Sequence, residues 1–436
     1  MGRIRRGLAL PLALLAAAAT GPCAAAETLA DAWRLALTND KALAAAGSDV
    51  EGARAAERAA RSARWPSLDA TGGYTRLDSS PALEVATPGG PVFRSGPIFR
   101  DDQFVSGGVQ LKLPLYTGGQ VAADVDAAHH ALLGASEEQE AASSGLKLAV
   151  AEAYVSVLRT RRALAAAQSS LESLSAHAGD VQHMVERELV ARADLLAARV
   201  ALANAEQQRV RAANEHEIAL AVYNRRLGEP LGRSAELDER ISADVALAAM
   251  PLEALVARAL DARSELKALV ARADSLDSQS HAEAAQALPQ VALIGGYTHL
   301  DNQILDRQDF SSVGIGFTWN LFDGGRARQR AAALRSAGRA AQERLEDLRA
   351  SIELEVRQAW LDVHEAQARV RASAEAVAQA EENLRSSREL YGVGLATNTQ
   401  VLDAVSLEVN AVSNRDNASL DESLALLRLS YAVGAL

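Results

Sequence analysis

The chain has 436 residues, a single cysteine, a formal net charge of −11 and only 4% aromatic residues. The negative balance argues against nucleic acid as a partner. Scarce rings and abundant alanine argue against the ring-filled core of a large globular enzyme and suit long, closely packed helices.

Residues 1–26 read as a secretory signal. Arg3, Arg5 and Arg6 precede an apolar run from Leu8 to Ala19, and Ala24-Ala25-Ala26 offers a small-residue cleavage site. The run is too short to cross a bilayer as a helix, and no run of about 18 apolar residues follows it. Cys23 lies inside the segment, and Thr20-Gly21-Pro22 before it fits a lipid-anchor signal poorly. Cleavage after Ala26 leaves a chain without cysteine, so no disulfide holds it together.

The remainder repeats itself. Leu115-Tyr116-Thr117-Gly118-Gly119 returns as Leu321-Phe322-Asp323-Gly324-Gly325, a shift of 206 that also carries Tyr154 onto Trp360 and Gly228 onto Gly434. Gly72-Gly73-Tyr74-Thr75 returns as Gly295-Gly296-Tyr297-Thr298 at a shift of 223, which places 17 extra residues between Asp78 and Leu115. Two copies of one unit follow, 27–240 and 241–436, each read as helix, strand, strand, long helix, helix.

In chain order, the first helix covers about 28–63 and its copy about 252–286, each ending before a proline, Pro66 or Pro289. The period then changes to two. Val105, Val109, Leu111 and Leu113 alternate with Ser106, Gly108, Gln110 and Lys112, and Val313, Ile315, Phe317 and Trp319 do the same in the copy. Strands are expected at about 66–77, 104–116, 289–300 and 310–322, each long enough to cross a membrane when tilted. Eleven of the 17 rings lie within 65–116 and 288–322, around these strands, as in the aromatic girdles of membrane barrels. The linker 79–103, with Pro81, Pro88, Pro91 and Pro97, reads as an irregular exposed loop. Thr117 and Asp323 can accept from the first free N–H groups of the next helix, and the glycine pairs Gly118-Gly119 and Gly324-Gly325 allow a sharp strand-to-helix turn.

Steps of four and three through Leu146, Val150, Ala153 and Val157, and through Ile352, Val356, Ala359 and Val363, predict coiled-coil helices over about 120–188 and 326–392. Helices of this length span roughly 100 Å. Returning helices are expected at about 194–226 and 398–432, so the helical hairpins cover 120–227 and 326–432. The fold class is mainly α with a small membrane β-barrel. Four strands cannot close such a barrel, since at least eight are needed and open edges in lipid are costly. Copies must therefore share strands: eight for a dimer, twelve for a trimer, sixteen for a tetramer.

The duplicated strand–Gly-Gly–helix segments, Tyr154 and Trp360, and the hairpin tips Leu189-Val190-Ala191-Arg192-Ala193-Asp194 and Tyr391-Gly392-Val393-Gly394-Leu395-Ala396-Thr397 resemble the TolC-like family of outer-membrane efflux proteins. The resemblance covers nearly all of 27–434. It implies a homotrimer in the outer membrane, with a 12-stranded barrel and a 12-helix tunnel reaching into the periplasm. It also implies a periplasmic adaptor and an inner-membrane RND or ABC pump as partners, in efflux or type I secretion. The tips would form the entrance, with Asp194, Gln400 and Asp403 as gate candidates. Gln400 departs from the acidic residue common there, which weakens a double acidic ring. Val190, Arg192, Gly394, Leu395 and Thr397 are the adaptor-contact candidates. A periplasmic adaptor and a poreless coiled-coil protein are the alternatives.

No catalytic constellation, metal ligand set or cofactor motif stands out. His129-His130, His177, His183, His216, His281, His299 and His364 lack metal-ligand spacing and read as solvated surface.

Overall fold

The computed structural model describes residues 26–436 except 87, 91, 100, 101, 243 and 303, so the leader and Cys23 lie outside the described residues. Two short helices open the described chain, α1 (Leu29–Asn39) and α2 (Lys41–Ser62). After β1 (Ser67–Arg76) come β2 (Ala82–Val85), β3 (Phe93–Pro97) and β4 (Gln103–Tyr116). The first hairpin pairs α3 (Gln120–Glu186) with α4 (Arg192–Arg226). A 3₁₀ turn at Val245–Ala249 leads into α5 (Leu252–Ala262) and α6 (Ser264–Ala285). Then follow β5 (Gln290–Leu300), β6 (Asp309–Thr318), α7 (Arg326–Gly392) and α8 (Asn398–Ala432).

The expected opening helices are each broken in two. Asp40 and Arg263, both in extended backbone, end one helix and cap the next. Asp40 does so by accepting from the Leu43 N–H at 2.8 Å. A polar Thr38-Asn39-Asp40 cluster favours caps over helix interior, and this local competition outweighs the helical period on either side. The 79–103 linker is not wholly irregular: β2 and β3 pair antiparallel within it. The last strand stops at Thr318, four residues short of the expected end, and Trp319 donates its indole N–H to the Ala287 carbonyl at 3.1 Å instead.

The four long strands form one antiparallel sheet in the order β1-β4-β5-β6. The centre of the sheet therefore joins the two halves of the chain, and β1 and β6 are its free edges. Below it, α3 packs on α2 and α6, and α6 on α7. Further down, α4, α3, α8 and α7 lie side by side. The core sits midway along the long helices. Tyr154 and Tyr223 meet edge to face at 6.0 Å among Leu29, Val150, Leu158 and Leu227. In the second half, Leu255, Ile352, Val356, Val363 and Leu429 make the equivalent cluster, with Trp360 half-buried at its rim. The Tyr154 hydroxyl shares its proton between the carbonyls of Glu27 and Asp238, at 2.8 and 2.7 Å, while the indole N–H of Trp360 is buried without a partner.

Candidate functional site

The sheet has one apolar face, in phase across all four strands. Register places Leu68 beside Leu111, Val109 beside Tyr297, and Leu293 beside Ile315. On the other face, Asp69 lies beside Gln110, Thr71 beside Gly108, and Gly296 beside Ser312. A one-residue slip in any pairing would mix the two faces. The apolar face is uncovered: Leu68, Val313, Ile315 and Phe317 are all exposed, Val313 by 80%. Rings gather towards its ends, with Tyr116, Phe317, Trp319 and Phe322 at the end that feeds the helices and Tyr74 and Tyr297 at the other. Strands of about ten residues tilted across a bilayer match an apolar band roughly 25 Å tall between two ring girdles.

At the helix end of the sheet all four turn glycines adopt positive φ: 64° and 88° at Gly118 and Gly119, 70° and 82° at Gly324 and Gly325. Asp323 accepts from the N–H groups of Gly325 and Ala327, both at 2.8 Å, and Thr117 from Val121 at 3.4 Å, as the sequence implied. The helix N–H groups and the Arg326 charge hold the Asp323 carboxyl below the usual carboxylate range.

At the far ends, both long helices finish in the same motif. Leu189 N–H donates to Met184 and Glu188 N–H to Val185, and Leu395 N–H donates to Leu390 and Gly394 N–H to Tyr391. This six-to-one and five-to-two pattern needs a left-handed residue after the helix. Gly394 fills that place with φ 76°, and Glu188 with φ 59°.

The structure places the expected tip residues as follows. Val190 is half-buried against the cluster of Ala178, Val181, Ala198, Tyr391 and Val401. Arg192, expected in the turn, is already the first residue of α4. Leu395 is 76% exposed beyond the last turn of α7. Thr397 caps α8 and forms a capping box with Gln400, whose side-chain oxygen accepts from the Thr397 N–H at 2.7 Å. Gln400 is thus engaged in the helix start. Asp194 occupies the same third position of α4, where the cap is Ala191 and no side chain closes the box. Asp403 is exposed, and its side chain makes no hydrogen bond or ion pair among the described residues.

One bridge escaped the sequence reading. His177, expected on the surface, is 6% exposed, and its Nε2 lies 2.7 Å from Asn398 Oδ1. The Asn398 amide donates onward to the Asp194 carbonyl at 3.2 Å. Side chains of α3 and α8 and the backbone of α4 thus meet in one buried polar link. Tyr391 of α7 stacks at a tilt on His177, 5.5 Å between centroids. Burial, then the Asp194 carboxylate, push the Tyr391 hydroxyl above its ordinary pKa, and it has no partner. The missed signal was register: His177 lies three residues after Leu174 and four before Val181, on the buried stripe of α3.

Comparison with known proteins agrees with this architecture. The family model described as outer membrane efflux protein matches residues 32–228 and 255–435. The chain belongs to the outer membrane efflux protein family. It is similar to the outer membrane protein TolC of Vibrio cholerae, with 26% identity over 98% of this chain and 95% of that protein. Its fold matches the outer membrane protein VceC of Vibrio cholerae with a TM-score of 0.78 at 20% identity, covering 93% of this chain and 96% of that one. The outer membrane channel CmeC of Campylobacter jejuni matches with a TM-score of 0.77 at 16% identity, over 93% and 85% of the two chains. Like its family, this chain is an outer-membrane efflux channel protein, with its helices extending into the periplasm. The family members are channels rather than enzymes. Among the described residues no group of side chains is arranged to hold a metal ion.

Proposed function

We propose that three copies of this chain close a 12-stranded barrel and a 12-helix tunnel, and that the assembly is the passive exit duct of a tripartite efflux or type I secretion system. The observation that carries the reading is the sheet itself. Its apolar face is continuous, yet β1 and β6 each leave a row of backbone groups unpaired. Each such group in lipid costs several kcal/mol, so the edges must pair with further copies. The helices are left open in the same sense. Ala45, Ser48, Gly52, Ala55 and Ala59 make an exposed small-residue stripe on α2, and Leu354, Leu361 and Ala368 recur every seven residues on the exposed face of α7. Such stripes suit close helix packing against a neighbour. The count of three rests on the family resemblance.

Residues 27–240 and 241–436 act in this reading as two structural repeats of one wall segment. The tips would meet a periplasmic adaptor through Val190, Arg192, Gly394, Leu395 and Thr397, and cargo would arrive from an inner-membrane pump. Exposed Leu189, Val393 and Leu395 give these ends an apolar surface for contact. Asp194 and Asp403 would line the entrance in threefold rings that attract cations. The test is outer-membrane fractionation followed by planar-bilayer conductance of the purified oligomer. Asp403→Ala is expected to weaken cation preference or raise conductance. A water-soluble monomer that passes no ions would overturn the reading.

A further inference from the structure

We propose that the periplasmic foot of the barrel binds anionic phospholipid headgroups at each seam between copies, through arginines flanking the free edge strands. The inference rests on the ring closure proposed above. Before β1, the last turns of α2 carry Arg54, Arg58 and Arg61, and the turn after it holds Arg64 and Trp65, the latter 73% exposed. After β6 comes Phe322, 88% exposed, and then Arg326, Arg328, Arg330, Arg335 and Arg339 on the first turns of α7.

The acidic residues nearby are already engaged. Glu57 is held by Arg61 at 2.6 Å and by the His129 ring at 3.1 Å. Asp323 accepts from the backbone of its own helix start. The side chains of Arg58, Arg64, Arg328 and Arg335 make no ion pair or hydrogen bond among the described residues. Elsewhere in this chain arginines are commonly paired, as Arg159 and Arg369 are with Asp421.

The feet of the two inner strands are the reverse. The start of α3 carries Asp124 and Asp126, with no lysine or arginine before Lys147. The end of α6 carries Asp274, Asp277 and Glu283, with none after Arg272. Apart from Lys112 within β4, positive charge at this end of the sheet is thus confined to the edges, in a chain whose net charge is −11.

Closing β6 of one copy on β1 of the next brings the two basic feet together. Like charges side by side repel, and more strongly where water is thinned by protein and lipid. An anion between them removes that cost. At the bilayer boundary the abundant anion is a lipid phosphodiester, which the guanidinium fork binds in a two-point fashion. Exposed Trp65 is of the amphipathic kind that sits at headgroup depth. The occupant is therefore an anionic glycerophospholipid of the periplasmic leaflet, shared between neighbouring copies.

The experiment uses the purified, conducting oligomer reconstituted in phosphatidylcholine vesicles with spin-labelled phosphatidylglycerol or phosphatidylcholine as probe. The wild type is expected to prefer phosphatidylglycerol, by about fivefold for each arginine engaged, and the preference should fall with salt. The triple variant Arg64→Gln/Arg328→Gln/Arg335→Gln should bring the preference close to one. Arg415→Gln, which removes a pair with Asp416 on α8, should leave it unchanged. A conducting wild-type oligomer with equal affinity for both lipids overturns the site, and that comparison needs no variant. So does a triple variant that keeps the full preference, or inorganic phosphate that displaces the lipid at millimolar concentration. Failure to form any oligomer overturns ring closure and the seam with it.

Discussion

The two halves of the molecule are built on one plan, yet they satisfy it with different chemistry. At the tip of the first hairpin the left-handed residue is Glu188, and at the second it is Gly394. The first returning helix has Ala191 at its cap position and so no side-chain cap, and the second starts in a Thr397–Gln400 box. At the corner between the short helices, Asp40 caps α2 by one local bond. Its counterpart Arg263 is buried, joins Glu265 and Glu355 at 3.0 Å each, and donates to the Ala432 carbonyl at 3.2 Å. Backbone geometry is what the halves share, and side chains are free to differ wherever the same backbone bonds can still be made.

The corner should show the largest difference. Arg263→Ala leaves a buried carbonyl and two carboxylates without their partner, and should cost about 3 kcal/mol. Asp40→Ala removes one cap and should cost about 1 kcal/mol. Hydrogen exchange of α6 against α2 reads both, and equal losses would erase the contrast. The strand-to-helix turns come next. A Cβ on Gly118 would lie 2.7 Å from Leu288 Cβ, whereas one on Gly324 meets nothing within 4 Å. Gly118→Ala should therefore cost about 2–3 kcal/mol, adding overpacking to left-handed strain. Gly324→Ala carries the strain alone, about 1 kcal/mol. The heat-dissociation temperatures of the two variant oligomers would rank them. A larger effect at Gly324 would mean that a neighbouring copy fills the open side.

The tips offer a smaller, opposite pair. Glu188→Gly should stabilise the first turn by about 0.5–1 kcal/mol, and Gly394→Ala should destabilise the second by a similar amount. Exchange rates at Leu189 and Leu395, whose amides close the two turns, report each change. The last contrast is with pH. Burial alone would raise the Glu265 carboxyl, but hydrogen bonding to Arg263 and its charge hold it below the usual glutamate value. A lowered carboxyl stabilises above its unfolded pKa, near 4.3, and the gain is lost as pH falls through the folded value. Protection in α6 should thus drop below about pH 4, and Arg263→Ala should remove that dependence.

Much of this was legible from residue order. The duplication, the period-two segments and the long heptads place all four sheet strands and both hairpins within a few residues, because each repeats a pattern set by local geometry. Features that depend on competition between local bonds were harder. The breaks at Asp40 and Arg263, the β2–β3 hairpin and the early end of β6 each hinge on which partner a backbone group finds. His177 shows the same limit at the tips: a polar residue on a buried stripe is tolerated only because Asn398, 221 positions away, supplies its bond.

By itself the sequence determined which residues face together, since strand and helix periods are properties of the backbone alone. Tertiary structure decided that β4 and β5, from different halves, pair at the centre and leave β1 and β6 as edges. It also decided that α8 lies against α3 and carries Asn398 to His177. Those choices follow from burying the facing sides of separate segments at once, a constraint that no single stretch of chain contains.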